Sequence, residues 1–325
     1  MTTWLLTGGA GYIGSHVARA LLRAGHRVVV LDDLSSGDAG RVPVGVPLAV
    51  ASVSDEQAVR RVLREHRVDG VVHLAAKKSV QESCADPLLY YRENVGGLLS
   101  LLQAMRAEGV GRLVFSSSAA VYGTPEGAVV DEAARTAPES PYGRTKLAGE
   151  SMVRDVAAAD GVSVVSLRYF NVVGCDEPGL ADAVGVNLFP RILARIDERL
   201  PVTVFGGDYP TADGTCVRDY IHVQDLAEAH VTAAGLTATE GCDEVINVGC
   251  GRGYSVLEVL AEFGRCAGAP IPHVTAPRRA GDPASMVADA AKAARVLGWR
   301  ARFGLPDMVA SAWSAAQHVN VPVGC

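Results

Sequence analysis

At 325 residues, 49% hydrophobic and 20% charged, the chain has the make-up of a folded protein with room for one large domain or two ordinary ones, and not that of a disordered segment. A net charge of −6, with Lys and Arg spread along the chain, argues against nucleic acid as a partner; no apolar run is long enough to span a bilayer, and the opening "TTWLLTGGAG" lacks a signal-peptide layout, so a cytoplasmic protein without membrane contact is expected. The seven cysteines (84, 175, 216, 242, 250, 266 and 325) are widely spaced and form no CxxC pair, so they read as thiols, with no metal site.

The first half alternates short β-branched runs with helical stretches. A strand at 4–7 passes through "TGGAGYIG" into a helix at 12–24. Gly8, Gly11 and Gly14 have GxxGxxG spacing, which suits a tight turn, close backbone approach to a pyrophosphate and a helix N-terminus that favours anions. The next strand, 27–31, ends in "VVVLDD" and sets Asp32 eighteen residues beyond Gly14, near the spacing of a carboxylate that binds adenosine ribose hydroxyls. Asp32 and Asp33 together would repel a 2′-phosphate, which favours NAD over NADP. Strands at 48–50, 70–74, 112–116 and 163–168 follow, with helices at 55–65, 87–108 and 142–160. Gly25, Gly109 and Gly161 each follow a helix, where a left-handed cap is expected. The fold class is therefore α/β, a Rossmann-type doubly wound parallel sheet of six strands.

Within this half, "LVFSSSAAVYG" ends a strand in three serines at the carboxyl edge, where ligands of open α/β sheets bind. Ser118 is expected to face the cleft. Then "SPYGRTK" places Tyr142 and Lys146 four residues apart, on one helix face. A free tyrosine, with a pKa of about 10, is a poor base at neutral pH, and a nearby ammonium favours its phenolate. In isolation such a pair describes a surface helix. Behind a dinucleotide motif and a serine-bearing strand end, it reads as a set that removes a hydroxyl proton while hydride leaves the same carbon for nicotinamide.

After about residue 172 the chain turns to Gly-, Pro- and Asp-rich loops, with helices expected at 188–199, 223–236, 256–266 and 288–297. The expected division is a NAD-binding domain at 1–172 and a smaller mixed α/β substrate domain at 173–325, with segments around 217–250 returning to the first.

These motifs, with "LDDLSSG", "LRYFNVVG", "NVGCGRGYSVLEV" and "APRRAGDP", resemble the extended short-chain dehydrogenase/reductase superfamily and, within it, the UDP-glucose 4-epimerases; "GDYPTADGTCVRDYIHV" is the most specific stretch. The resemblance implies an isomerase in which tightly bound NAD takes hydride from C4 of a UDP-hexose, UDP-glucose or UDP-galactose, and returns it to the other face of a transient 4-keto sugar. Tyr142 would take the C4 hydroxyl proton, Ser118 would assist, and Lys146 would hold the nicotinamide ribose. The resemblance also implies cofactor contacts at Gly8, Gly11, Tyr12, Ile13, Gly14, Asp32, Asp33, Ser52, Val53, Leu74, Ala75, Lys78, Asn94, Ser116 and Tyr169, with Phe170 flanking the nicotinamide region. The UDP-sugar would meet Lys78, Ser118, Tyr142, Asn171, Asn187, Leu188, Phe205, Arg218, Arg279 and Asp282. A homodimer is implied as well.

The chain departs from the family pattern at three places. Ser52 stands where an aspartate usually binds adenine, Lys77 replaces an apolar residue, and Met286 falls where family members carry either a tyrosine or a small residue. Lys77 and Arg191 are extra cations suited to a carboxylate at C6, so another UDP-sugar, a uronate or an N-acetylated hexose, stays open. A dehydratase would carry an Asp-Glu pair where this chain has Ala119 and Ala120. A non-catalytic NAD-binding regulator would usually lack the tyrosine or the lysine.

Overall fold

The computed structural model describes residues 1–182, 187–279 and 281–319, so Cys325 lies outside the described residues. Its centre is a parallel sheet of seven strands: β1 Thr3–Thr7, β2 Arg27–Asp32, β3 Leu48–Val50, β4 Gly70–His73, β5 Arg112–Ser118, β6 Ser163–Tyr169 and β7 Asp243–Val248, ordered β7-β6-β5-β4-β1-β2-β3. Strand order reverses between β1 and β4, the switch point of a Rossmann-type doubly wound sheet. One face is covered by helices Tyr12–Arg23 and Val223–Leu236, whose Val17, Leu21, Leu226 and Ala233 share a core with Trp4 and Val30. The other is covered by helices Glu56–Glu65 and Gly97–Glu108 through Val59, Leu63, Leu98 and Leu101.

The sheet has one strand more than the six expected. β7 escapes notice because "DEVINV" is polar at its start and lies on a sheet edge, reached only after the chain has left for the second lobe and returned. The helix expected over 87–108 is present but changes pitch: Pro87–Tyr90, a π-helical turn at Tyr91–Gly96, then Gly97–Glu108. Such turns often occur at functional sites, and this one carries Asn94.

In the second lobe, strand Val217–His222 pairs with Gly253–Ser255, Ser285–Ala288 and Asn171–Val173, and Val129–Val130 joins beyond Ser285–Ala288. The helix expected at 288–297 is present but starts later, at 291, with π-helical pitch over Ala293–Leu297. Residues 285–288 are strand, held in the sheet on both sides, and helix starts only where the Asp289 carboxylate accepts from Ala291 N. Helix Leu305–Val319 was not expected, since alanines and serines dilute its apolar stripe. Met308, Val309 and Ala312 of that helix pack with Val259, Leu260 and Phe263 of helix Val256–Ala267. No helix among the described residues is long and apolar enough to cross a membrane.

Asp219 ties this lobe together. It is fully buried, and its carboxylate accepts from the backbone N–H groups of Cys250 (2.8 Å), Gly251 (3.0 Å) and Ala288 (3.2 Å). Burial raises its pKa to about 6, against the pull of those three amides. Asp219→Ala strands all three donors. At about 1–3 kcal/mol for each unsatisfied buried group, stability is expected to fall by at least about 3 kcal/mol, read from the urea midpoint. An unchanged midpoint contradicts this account.

Candidate active site

The turn after β1 is built by close approaches. Gly8 has φ +72°, and a Cβ there would stand 2.7 Å from Ala75 N; a Cβ on Gly14 would strike the Gly8 carbonyl. Helix Tyr12–Arg23 therefore starts flush against the turn. Its N-cap, Gly11, makes no side-chain bond to the first amides, whereas Asp55, Ser140 and Ser255 cap the helices that follow them. Uncapped amides at the positive end of a helix dipole suit an anion. Asp32 is buried beside the turn, accepting from Ala10 N and Leu34 N, each at 2.9 Å, and the Asp33 carboxylate accepts from Ser35 N. This cradle fits a dinucleotide.

The other residues assigned to the cofactor are placed unequally. Tyr12 turns its side chain away and donates its hydroxyl to Gly174 O at 2.6 Å, and Ile13 packs on the core, so each offers the cradle its backbone. Leu74 N donates to Thr7 O, and Ala75 N to the Thr7 hydroxyl at 3.4 Å. Ser52 spends its hydroxyl on Ser54 N, and Val53 is buried. Asn94 exchanges bonds with the backbone of Lys77 (2.8 and 3.0 Å) and donates to Thr145, which clamps the loop after β4 to helix Pro141–Asp160. Lys78 is exposed.

At the end of β5 the three serines part company. Ser116 and Ser117 are fully buried, while Ser118 is half-buried, accepts from Ala120 N and stands close enough to Tyr142 to act on its phenol. Tyr142 is the second residue of helix Pro141–Asp160, capped by Ser140 with Pro141 in the first turn. A Cβ on Gly143 would stand 2.6 Å from Ala120 O, so only glycine lets the helix start sit this close to the end of β5. Burial raises the Tyr142 phenol and the bond from Ser118 lowers it. Lys146 is buried, donates to Ser116 O at 2.8 Å and stands 6.0 Å from the Tyr142 ring centroid. Burial lowers its amine to about 8, opposed by Glu150. His73 nearby is lowered to about 3 by burial and by Lys146, and its ring pairs with the Thr7 hydroxyl. Tyr169 ends β6 beside Tyr142, its phenol raised by burial, and Phe170 is buried next to it.

Sequence reasoning missed Glu150 and Arg168. They form a buried bidentate ion pair beneath Lys146 (2.8 and 2.6 Å), and Ser117 donates to the same carboxylate. The signal was present as the YxxxKxxxE repeat inside "SPYGRTKLAGE".

Across the cleft, the Arg279 guanidinium lies 3.8 Å from the Phe205 ring centroid, and Arg218 pairs with Asp282 at 3.4 Å. Burial and the neighbouring Arg191 lower the Arg279 pKa, so like charges crowd here as they would around an anion. Asn187 opens helix Leu188–Asp197 without capping it, its amide donating instead to Asp182. Asn171 is exposed and donates to Asp219 O. Met286 lies opposite Arg218 in the strand register and packs against the cluster that includes Tyr122 and Phe170.

Residues 4–249 match the model of the NAD dependent epimerase/dehydratase family. The chain is 45% identical over 325 residues to the UDP-glucose 4-epimerase of Azospirillum brasilense, covering 98% of this chain and 93% of that one. It is also 45% identical over 322 residues to the enzyme of that name from Bacillus subtilis, covering 95% of each. Among solved structures, the UDP-glucose-4-epimerase of Stenotrophomonas maltophila with bound NAD and formylated UDP-arabinopyranose superposes with a TM-score of 0.94 at 42% identity, covering 98% of this chain and 99% of that one. The Bifidobacterium longum enzyme in complex with NAD+ and UDP gives 0.91 at 41%, with the same coverage.

Gly8→Ala forces a side chain into a left-handed conformation and against Ala75 N, a strain of about 1–3 kcal/mol before steric relief. The NAD content of the purified protein is expected to fall and the Kd for NAD to rise at least about tenfold by titration of the stripped protein. Full NAD occupancy contradicts the cradle.

Proposed function

The chain belongs to the NAD dependent epimerase/dehydratase family, and we propose that it is an NAD-dependent UDP-hexose 4-epimerase, an isomerase that interconverts UDP-glucose and UDP-galactose. The observation that carries this reading is the Ser118–Tyr142–Lys146 set assembled beside a dinucleotide cradle. NAD, when bound, supplies the reversible oxidation at C4.

The uncapped amides of helix Tyr12–Arg23 hold the cofactor's pyrophosphate, and Asp32 its adenosine ribose. Tyr142 accepts the C4 hydroxyl proton. A phenol raised by burial is reluctant to ionise, so Lys146 and Ser118 must stabilise its anion for the transfer to be balanced. The same phenol later returns the proton, so reactant and product need no net proton from water. Arg218 and Arg279 carry the diphosphate through multiple donors, Phe205 supports the uracil, and Asp282 accepts from ribose hydroxyls. Asn171, Asn187, Leu188 and Lys78 complete the sugar and phosphate contacts.

A neutral hexose is favoured because Arg191 faces Arg279, within the diphosphate cluster, where it adds to the charge that a diphosphate requires. Incubated without added NAD, the protein is expected to convert UDP-galactose to UDP-glucose in a coupled assay and to act less well on UDP-glucuronate and the N-acetylated substrate. Tyr142→Phe is expected to lower kcat at least about 100-fold with UDP affinity unchanged. Full turnover by that variant rules out Tyr142 as the base.

The protein is proposed to be a cytoplasmic homodimer. Val80, Leu88, Tyr91 and Leu99 are 48%, 77%, 40% and 48% exposed on successive helical segments, apolar side chains that a second copy would cover. Leu88→Glu with Leu99→Glu is expected to halve the mass measured by light scattering. A wild-type monomer contradicts the assignment.

A further inference from the structure

Tyr142, Lys146 and Glu150 recur every four residues and share one face of helix Pro141–Asp160. Glu150 is 5% exposed, and three donors hold its carboxylate: Arg168 Nε on Oε1 at 2.8 Å, Arg168 Nη2 on Oε2 at 2.6 Å, and the Ser117 hydroxyl on Oε1. Both partners sit at the ends of paired strands, in the register Ser117↔Arg168, with Ser118↔Tyr169 as the next pair. Arg168 is braced in turn by the Tyr122 hydroxyl at 3.1 Å, which donates to Asn247 at 2.6 Å. An ion pair buried this deeply gains little stability over well-packed apolar residues, because desolvation offsets the attraction between the charges. Its place directly beneath the reacting pair points to a role in the reaction.

We propose that Glu150 is a positioning residue: clamped by Arg168 and Ser117, its carboxylate fixes the reacting face of the helix on β5 and β6 and keeps a compensating charge beside the buried Lys146 ammonium. The proposal rests on the epimerase reading above. Burial drives the Lys146 amine down to about 8, and Glu150 is the carboxylate that opposes it. The other groups around Lys146 do not supply that charge. His73 on β4 is neutral, Phe115 and Ser116 on β5 present a ring and a carbonyl, Tyr142 lies on the same helix, and Arg168 on β6 is cationic. Without the Glu150 carboxylate the ammonium loses its proton at lower pH, and an unpaired Arg168 pushes the same way. Lys146 then stops supporting the Tyr142 phenolate as pH rises.

Glu150→Gln keeps the shape and removes the charge. With the NAD-loaded enzyme on UDP-galactose at pH 8, kcat is expected to fall at least about tenfold while KM changes less than about twofold, and the alkaline limb of the kcat profile to move down by about one pH unit. Glu150→Asp, which keeps the charge and shortens the reach, should lower kcat with the limb left in place. A lower thermal midpoint or NAD content with an unmoved limb in the Gln variant marks a merely structural ion pair and overturns the proposal. If that variant does not fold, Ser117→Ala decides: one clamp bond is lost with the charge kept, so kcat should fall about threefold or more at unchanged KM, and a wild-type kcat overturns the clamp. A wild-type protein inactive on every UDP-sugar would instead be a failure of the epimerase reading.

Discussion

For the proposed reaction Lys146 must stay an ammonium in a place that does not favour ions. It is buried among β4, β5 and its own helix, where desolvation lowers its pKa to about 8, and the Ser116 carbonyl takes one of its protons in a hydrogen bond. In the proposed reaction the ammonium would make the phenol of Tyr142, itself raised by burial, usable as a base. Much of the surrounding structure serves this contact. Gly143 brings the helix start against Ala120, Ser118 meets the phenol, and the Asn94 and Thr145 clamp holds the loop after β4 to the same helix. A β5 end pulled back from the helix would cost Lys146 its carbonyl and Tyr142 its serine together.

What was legible in the sequence follows from which forces act locally. Gly8 and Gly14 were readable because a left-handed turn and a helix in contact with a strand each demand glycine whatever lies beyond them. Tyr142 and Lys146 were readable because helical periodicity is local, and six of the seven main strands because buried parallel strands are written as continuous apolar runs. β7 was not, since an edge strand carries a weaker apolar signal and its partner, β6, lies some eighty residues upstream. Strand 285–288 was not legible, and the helix after it was started three residues early, because the strand's pairing is supplied wholly by Arg218, Val129 and neighbouring positions that are distant in sequence.

The candidate site shows the same division. Asp32 and Ser118 stand at strand tips, where position alone implies exposure to a ligand, and the structure places them beside the glycine turn and Tyr142. Ser116 and Ser117 share that strand tip, yet the first turns its hydroxyl toward His230 and the second toward Glu150, because alternation and depth direct them into the core. Arg168 lies in the well-marked "LRYFN" stretch, and its role is visible only when Glu150, Tyr122 and Asn247 are brought around it from three other segments.

Met286 illustrates how the second lobe controls the first. Its strand is held by Asp219, whose carboxylate binds Ala288 N on one side and Cys250 and Gly251 N on the other, while Arg218 on the neighbouring strand pairs with Asp282. Met286 itself packs against the cluster that contains Tyr122, whose hydroxyl accepts from Arg168, the partner of Glu150 beneath Lys146. A change of bulk at Met286 would therefore press on a cluster that includes the ring bracing the Arg168 guanidinium. A smaller residue at 286 would leave unfilled space in the cluster that holds Tyr122, at a cost in packing that reaches the brace on Arg168.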